Sequence, residues 1–139
     1  MRFYERQAEL VYKAEMCLWP SRTFTFAEAS DYLSTLVRSD WFEVEFPDAP
    51  SEFSVAKLKV HGNSKRVGEG DRKGDWGVIR LKSCDQITVL HELSHTIDNW
   101  DDWHGAIWRG IYLRLVRHEM GFHAYGALKT AFDKLPEGV

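Results

Sequence analysis

The sequence contains few cysteines, only a small net charge and no long apolar run. Two cysteines are too few for a disulfide framework or a four-thiolate metal site, and we expect both to be reduced thiols. The net charge of −3 does not favour a protein that binds duplex nucleic acid. No apolar run approaches the roughly 18 residues of a membrane helix, and the first helix-like stretch carries charges of both signs instead of the apolar core of a signal peptide. The sequence predicts a cytoplasmic protein without a membrane segment.

Hydrophobic and aromatic residues are abundant, at 44% and 14% of the 139 residues. A chain of this length is typical of one domain and buries about two-thirds of the surface that its unfolded form exposes. We find no internal repeat and no interdomain linker, so residues 1–139 are predicted to form a single domain. Three of the six tryptophans, Trp100, Trp103 and Trp108, lie close together and are expected mainly to pack in the core.

Helices are indicated by apolar residues at three- and four-residue spacing and by capping signals. Thr25 with Glu28, and Ser83 with Gln86, match the capping-box pattern that begins a helix, and Gly121 is a natural C-cap. The predicted helices cover about residues 3–18 and 26–38, a stretch that opens after Ser83 and runs to about residue 98, and residues 104–120 and 122–134.

Between the second and third predicted helices, apolar residues recur at every second position instead of every third or fourth. Trp41 to Phe46 alternates and is interpreted as a short strand, and Val55 to His61 as a half-buried strand. Asn63 to Gly74 is polar and glycine-rich, which favours a mobile hairpin tip, and Asp75 to Lys82 is the returning strand. Helices, a small antiparallel sheet and further helices in that order predict an α+β fold.

The segment His91-Glu92-Leu93-Ser94-His95 is an HExxH motif inside a predicted helix. A four-residue step turns the helix by about 400°, so both histidines lie on one face and can bind one Zn²⁺. Glu92 lies beside that metal and can act as general base. A shuffled chain of this composition contains HExxH roughly 2% of the time, so the alternative is an amphipathic helix with structural histidines. The capping signal and the apolar face of the helix favour the metal site.

A third protein ligand is expected because catalytic zinc sites usually have three and leave one position for water. His104 follows a polar turn after the motif, and that turn can bring it back toward the face carrying the other two histidines. Glu119 on the later helix is the next candidate, followed by Asp101 or Asp102 in the turn.

Residues 91–108, HELSHTIDNWDDWHGAIW, resemble the HExxH and H-G-x-x-aromatic pattern of SprT-like zincin metallopeptidases. The chain is also similar to a small family of HExxH proteins regarded as metallohydrolases in actinobacteria and their phages, whose members open with a helix like ERQAELVYKAE. These resemblances imply a zincin-like fold with HExxH on the central helix, one Zn²⁺ per chain held by His91, His95 and His104, and Glu92 as catalytic base. The zinc ribbon or basic tail of larger SprT proteins is not found here, so a role in DNA-crosslink repair is not implied.

Residues around the motif have candidate supporting roles. Zinc-bound histidines usually donate their second ring N–H to a carboxylate or carbonyl, which Asp98, Asp101 or Asp102 could supply. Asp102 could instead cap the following helix. Substrate peptides of such enzymes commonly bind as an added strand at a sheet edge, and the strand at 75–82 is the first candidate because it runs into the metal helix. Available oxyanion donors, among which the sequence does not choose, are Tyr112, His118, His123 and Tyr125.

The sequence therefore predicts a zinc-dependent hydrolase, in the first place a metallopeptidase acting on a peptide or protein. Glu92 would assist the attack of zinc-bound water on the peptide carbonyl. Two alternatives stay open: a regulatory protease that cuts one specific repressor, and a non-catalytic zincin-fold binding module with a structural metal site. Substrate identity and oligomeric state are not predicted.

Overall fold

A computed structural model of the chain describes residues 3–59 and 67–136. Over these ranges the fold is a mixture of six α-helices and a small three-stranded mixed sheet, which confirms the α+β class. The elements are α1 Phe3–Glu15, a 3₁₀ turn Met16–Leu18, α2 Phe26–Val37, α3 Asp40–Glu45, β1 Glu52–Lys57, β2 Gly68–Lys73, β3 Trp76–Leu81, α4 Gln86–Asp98, α5 Ala106–Met120 and α6 Phe122–Asp133. None of the helices in the described ranges combines the length and the apolar character that crossing a membrane requires.

The chain divides into two compact units. The described parts of residues 1–21 and 101–139 form one unit, which contains α1, the 3₁₀ turn, α5 and α6. Residues 22–100 form the other, with α2, α3, α4 and the sheet. The hypothesis of a single domain over residues 1–139 stays a prediction.

The sheet is mixed, so the prediction of an antiparallel sheet is wrong. Its strand order is β1–β3–β2, with β3 parallel to β1 and antiparallel to β2. The error arises because β2, with the sequence GEGDRK, was assigned to a hairpin tip. The tight turn is at Gly74, whose φ of +56° suits glycine, and it joins β2 to β3. The predictions for Val60, His61 and residues 63–66 lie outside the described residues.

The polar composition of β2 follows from its two faces. Gly68 and Gly70 face α4, in register with the buried Leu81 and Ile79 of β3. Residues at odd positions lie on the other face, where the Arg80 guanidinium donates to Glu69 (2.9 Å) and Asp71 (3.1 Å). The strand therefore lacks the apolar alternation by which strands are recognised, because glycines replace the inward apolar residues.

The strand predicted for residues 41–46 is wrong, because residues 41–45 lie in α3 and Phe46 is its C-cap. The Ser39 hydroxyl caps the helix by accepting from the Phe42 N–H at 3.2 Å. Phe42 and Phe46 are four residues apart, so one helix face buries both, with ring centroids 5.3 Å apart.

The capping-box pattern located the start of α2 correctly but not that of α4. At α2 both hydrogen bonds of the Thr25–Glu28 capping box are present. At α4 the N-cap is Asp85, not Ser83: its carboxylate accepts from the Thr88 N–H at 3.2 Å, while the Ser83 hydroxyl donates to it at 2.6 Å. A carboxylate is the stronger acceptor for the partly positive helix N-terminus.

In the helical unit, α5 and α6 pack through aromatic side chains. Trp108 is fully buried, stacks on Tyr112 with ring centroids 5.0 Å apart and contacts Phe132 at 6.5 Å. At the start of α5, Ile107 is 62% exposed, and the neighbouring Trp108 takes the core position.

Candidate metal centre

The HExxH motif lies in α4, nearly all of which is buried. His91 and His95 are one helical turn apart, with ring centroids 5.1 Å apart and ring planes at 65°. Their exposed fractions are 3% and 0%. A buried imidazole needs a hydrogen-bond partner or a metal to offset the loss of its contacts with water. Two buried imidazoles one helical turn apart are therefore typical of a metal site.

His104 is equally buried and precedes α5 by two residues. The Gln7 side-chain oxygen of α1 accepts from its backbone N–H at 3.1 Å. Its ring meets Trp108 edge to face, with centroids 4.8 Å apart, and Tyr12 in the same manner at 5.9 Å. Hydrogen bonding of its backbone and contacts of its ring both restrict this side chain.

His91, His95 and His104 form one group whose potential ligand nitrogens all lie within 4.8 Å of one another. This buried three-histidine group could hold a metal ion. Three imidazole donors suit Zn²⁺, which takes three protein ligands in catalytic sites and keeps a fourth position open. Burial raises the pKa of both cysteine thiols, Cys17 and Cys84, which disfavours thiolate ligands.

The other candidates for third ligand are placed differently. Glu119 in α5 bonds the neighbouring His118 ring at 2.7 Å, and Asp101 is exposed. Asp102 accepts from the Ile107 N–H at 2.6 Å, so its carboxylate stabilises the first turn of α5, in line with the alternative interpretation of this residue, although the N-cap position itself is Gly105. Asp98 is buried at the end of α4, and its role beside the histidines stays a prediction.

Glu92 is buried against β2. A Cβ on Gly68 would lie 2.9 Å from the Glu92 Oε2 atom, and one on Gly70 would lie 2.3 Å from the Glu92 carbonyl oxygen. A side chain at Gly70 would collide with the helix backbone, so this position requires glycine, whereas one at Gly68 would have to displace the end of the Glu92 side chain. The Gly-x-Gly spacing in β2 was the available signal for this contact, and sequence reasoning missed it.

Trp100 is a second residue that sequence reasoning missed. Its indole stacks on the His95 imidazole, with centroids 3.5 Å apart and planes at 7°. Its position five residues beyond His95 gives no sign of this contact. Two left-handed residues, Asn99 and Trp100 itself, reverse the chain after α4 and make it possible.

The strand predicted as a substrate edge is in the centre of the sheet. β3 pairs with β1 on one side and with β2 on the other, so the interpretation of residues 75–82 as a free edge is wrong. Among the residues that the structure describes, β1 and β2 are the outer strands of the sheet, and β2 is the one beside Glu92. Among the oxyanion candidates, Tyr112 is fully buried and its hydroxyl donates to Glu15 at 3.3 Å.

Comparisons of the chain with protein-family models, curated proteins and solved structures find no match. The resemblance to SprT-like peptidases, which rests on residues 91–108, and the resemblance to the HExxH metallohydrolase family, which extends over most of the chain, therefore stay predictions.

Proposed function

We propose that this protein is a zinc-dependent hydrolase, specifically a metallopeptidase with a zincin-like arrangement of helix and sheet. The observation that carries the proposal is the buried group His91, His95 and His104, with Glu92 next to the first of them in α4. Three neutral donors and one adjacent carboxylate outside the donor group are what a metal-assisted hydrolysis requires.

The donor set supports a catalytic site more than a structural one. Structural zinc sites are closed by four protein ligands, usually with thiolates among them, whereas this group consists of three imidazoles. When bound, Zn²⁺ would act as a Lewis acid that polarises the substrate carbonyl and acidifies a water molecule. His91, His95 and His104 would hold the ion without neutralising its charge.

Glu92 would act as general base and then as general acid. Its carboxylate would take a proton from the attacking water and deliver it to the leaving amine nitrogen. Its burial against Gly68 restricts the carboxylate to few positions and excludes bulk water from one side. Both effects favour proton transfer, because a general base must be within hydrogen-bond reach of the proton it removes.

An extended peptide is the substrate that the sheet would bind best. Within the described ranges β2 is an outer strand of the sheet and lies against Glu92, so a peptide that added to this edge would run past the HExxH helix. Main-chain hydrogen bonds would then position the scissile bond with little dependence on its side chains.

The test is cleavage of a peptide library by the zinc-loaded protein, with new termini identified by mass spectrometry. Glu92→Gln should keep its zinc and its melting temperature, while turnover falls by about 10² to 10⁴. Glu119→Gln is the matched control, since it removes a carboxylate that bonds His118 in α5 and should leave turnover unchanged.

Two results would contradict the proposal. A Glu92→Gln protein that cleaves at the wild-type rate would remove Glu92 from the mechanism. A wild-type protein that binds zinc but cleaves no peptide in the library would favour the non-catalytic binding module with a structural metal site.

A further inference from the structure

Trp100 connects the HExxH helix to the edge strand. Its indole lies flat on the His95 ring, and its Nε1–H donates to the carbonyl oxygen of Gly70 in β2. Gly70 in turn lies against the backbone of Glu92. Trp100 thus contacts one candidate ligand directly and is anchored to the strand beside the candidate base.

The backbone of Trp100 is in a conformation that bulky residues seldom adopt. Its φ is 59°, and that of the preceding Asn99 is 55°, so two consecutive residues are left-handed. Such a conformation persists only where the surrounding contacts hold it. Stacking on His95 and the hydrogen bond to Gly70 are contacts of this kind, and they involve the face of the indole and its ring N–H.

We infer that Trp100 is a positioning residue for the metal centre, holding the His95 imidazole in the orientation that receives the ion. This inference rests on the proposed function. Rotation of an imidazole about its Cβ–Cγ bond is broad and loosely restricted when the ring is unsupported. A ring stacked at 7° cannot rotate without losing its contact with the indole, so its nitrogens keep their directions before the metal binds.

The stack also responds to the metal. Coordination withdraws electrons from an imidazole ring and gives it partial positive character, which increases its attraction to the electron-rich face of an indole. Metal binding and stacking therefore favour each other. By linkage, loss of the indole face should weaken metal binding even though Trp100 donates no ligand atom.

The experiment is a zinc titration against a chelating dye, together with the visible absorption spectrum of the Co²⁺-substituted protein. Trp100→Leu keeps apolar volume and removes the aromatic face, so zinc affinity should fall by about 10- to 100-fold, as when other groups that support metal ligands are removed. Trp100→Phe keeps an aromatic face but loses the hydrogen bond to Gly70, and we expect a loss of about fivefold. The Co²⁺ bands should shift in both variants.

Trp76→Phe is the matched control. Trp76 is a partly exposed tryptophan of β3 whose indole donates to the Ser54 hydroxyl at 3.0 Å, so the substitution also removes an indole-to-strand hydrogen bond. Its zinc affinity and Co²⁺ spectrum should match those of the wild type.

The possible outcomes separate this inference from the proposed function. If both Trp100 variants bind zinc as tightly as the wild type, with the same Co²⁺ spectrum and only a lower melting temperature, Trp100 is a packing residue and the inference is overturned while the metal centre stands. If the wild type itself binds no zinc, the metal centre and the inference are overturned together. Should Trp100→Leu fail to fold, Trp100→Phe decides by the same two measurements.

Discussion

Gly68 of β2 faces the side chain of Glu92 so closely that a Cβ at Gly68 would lie 2.9 Å from the carboxylate oxygen Oε2. Two residues farther along the same strand, Gly70 faces the backbone of Glu92. The glycines have the same orientation, because residues two apart in a strand lie on one face. They differ in what a side chain would displace, and this difference yields two separate predictions.

Gly70→Ala should destabilise the fold. The added Cβ would lie 2.3 Å from the Glu92 carbonyl oxygen, which belongs to the backbone of a buried helix and cannot move aside. We expect a loss of about 1–3 kcal/mol, typical of overpacking, in the free energy of unfolding measured with urea. Gly126→Ala in α6 is the control. No described heavy atom outside its own helix lies within 4 Å of the new Cβ, so it should stabilise by about 0.5–1 kcal/mol.

Gly68→Ala should affect the reaction more than the fold. Its Cβ would displace the end of the Glu92 side chain, which can rotate away, although the contact with the Thr88 methyl also has to relax. We expect a smaller loss of unfolding free energy than for Gly70→Ala, unchanged zinc content and a clear fall in kcat. Turnover equal to wild type would show that Glu92 reaches the substrate from another position.

His104→Ala should abolish stoichiometric zinc binding. The wild type should contain about one zinc per chain, and removal of one of three ligands leaves a pair too weak to retain it during dialysis. Metal analysis after dialysis measures this. His123→Ala removes an exposed histidine of α6 and should leave zinc content unchanged. Full zinc content in His104→Ala would favour a different third ligand.

Asp102→Ala should destabilise the metal-free protein by about 1 kcal/mol, the usual cost of losing an N-terminal helix cap. The hydrogen bond lost is the one from the Ile107 N–H. Urea unfolding of the metal-free protein measures the effect, with exposed Asp101→Ala as control and an expected change within about 0.5 kcal/mol. If Asp102 chiefly supported a zinc ligand, the variant would instead keep its stability and lose zinc affinity.

Asp75 should make stability depend on pH at acidic values. Hydrogen bonds from the Ser51 hydroxyl and backbone N–H hold the pKa of the Asp75 carboxyl below its usual range. A carboxyl with a lowered folded-state pKa stabilises the fold above its unfolded pKa of about 3.9, and that contribution disappears as the pH falls through the folded value. The stability difference between wild type and Asp75→Asn should therefore be present at pH 7 and shrink below about pH 4. The urea midpoints of the two metal-free proteins, compared at pH 7 and below about pH 4, measure this difference in stability.

Local signals in the sequence were sufficient for most helices. The capping box at Thr25 and Glu28 and the C-cap at Gly121 located helix ends because those hydrogen bonds form within a few residues of chain. The HExxH spacing placed His91 and His95 on one face of α4 for the same reason, since the geometry of one helical turn is fixed by the backbone.

These local signals could not predict how strands that are distant in the sequence pair with one another. β2 lacks apolar alternation because its inward residues, Gly68 and Gly70, lie close against α4, so its strand character depends on a helix some 20 residues later in the chain. The parallel pairing of β1 with β3 was missed for the same reason, because without β2 the two predicted strands fit an antiparallel hairpin. α3 was mistaken for a strand because six residues fit both periods, and only the burial of Phe42 and Phe46 on one side decides between them.

The residues of the candidate site likewise fall into those that the sequence predicts and those that only the structure reveals. The sequence by itself determined the His91–His95 pair and the adjacent Glu92, because helix geometry relates residues one and four apart regardless of the rest of the fold. Only tertiary structure decided that His104 joins them, that glycines of β2 enclose Glu92 and that Trp100 covers His95. The contacts of Glu92 and Trp100 depend on the left-handed residues that follow α4 and on which strand lies against α4, and neither is encoded by spacing along one helix.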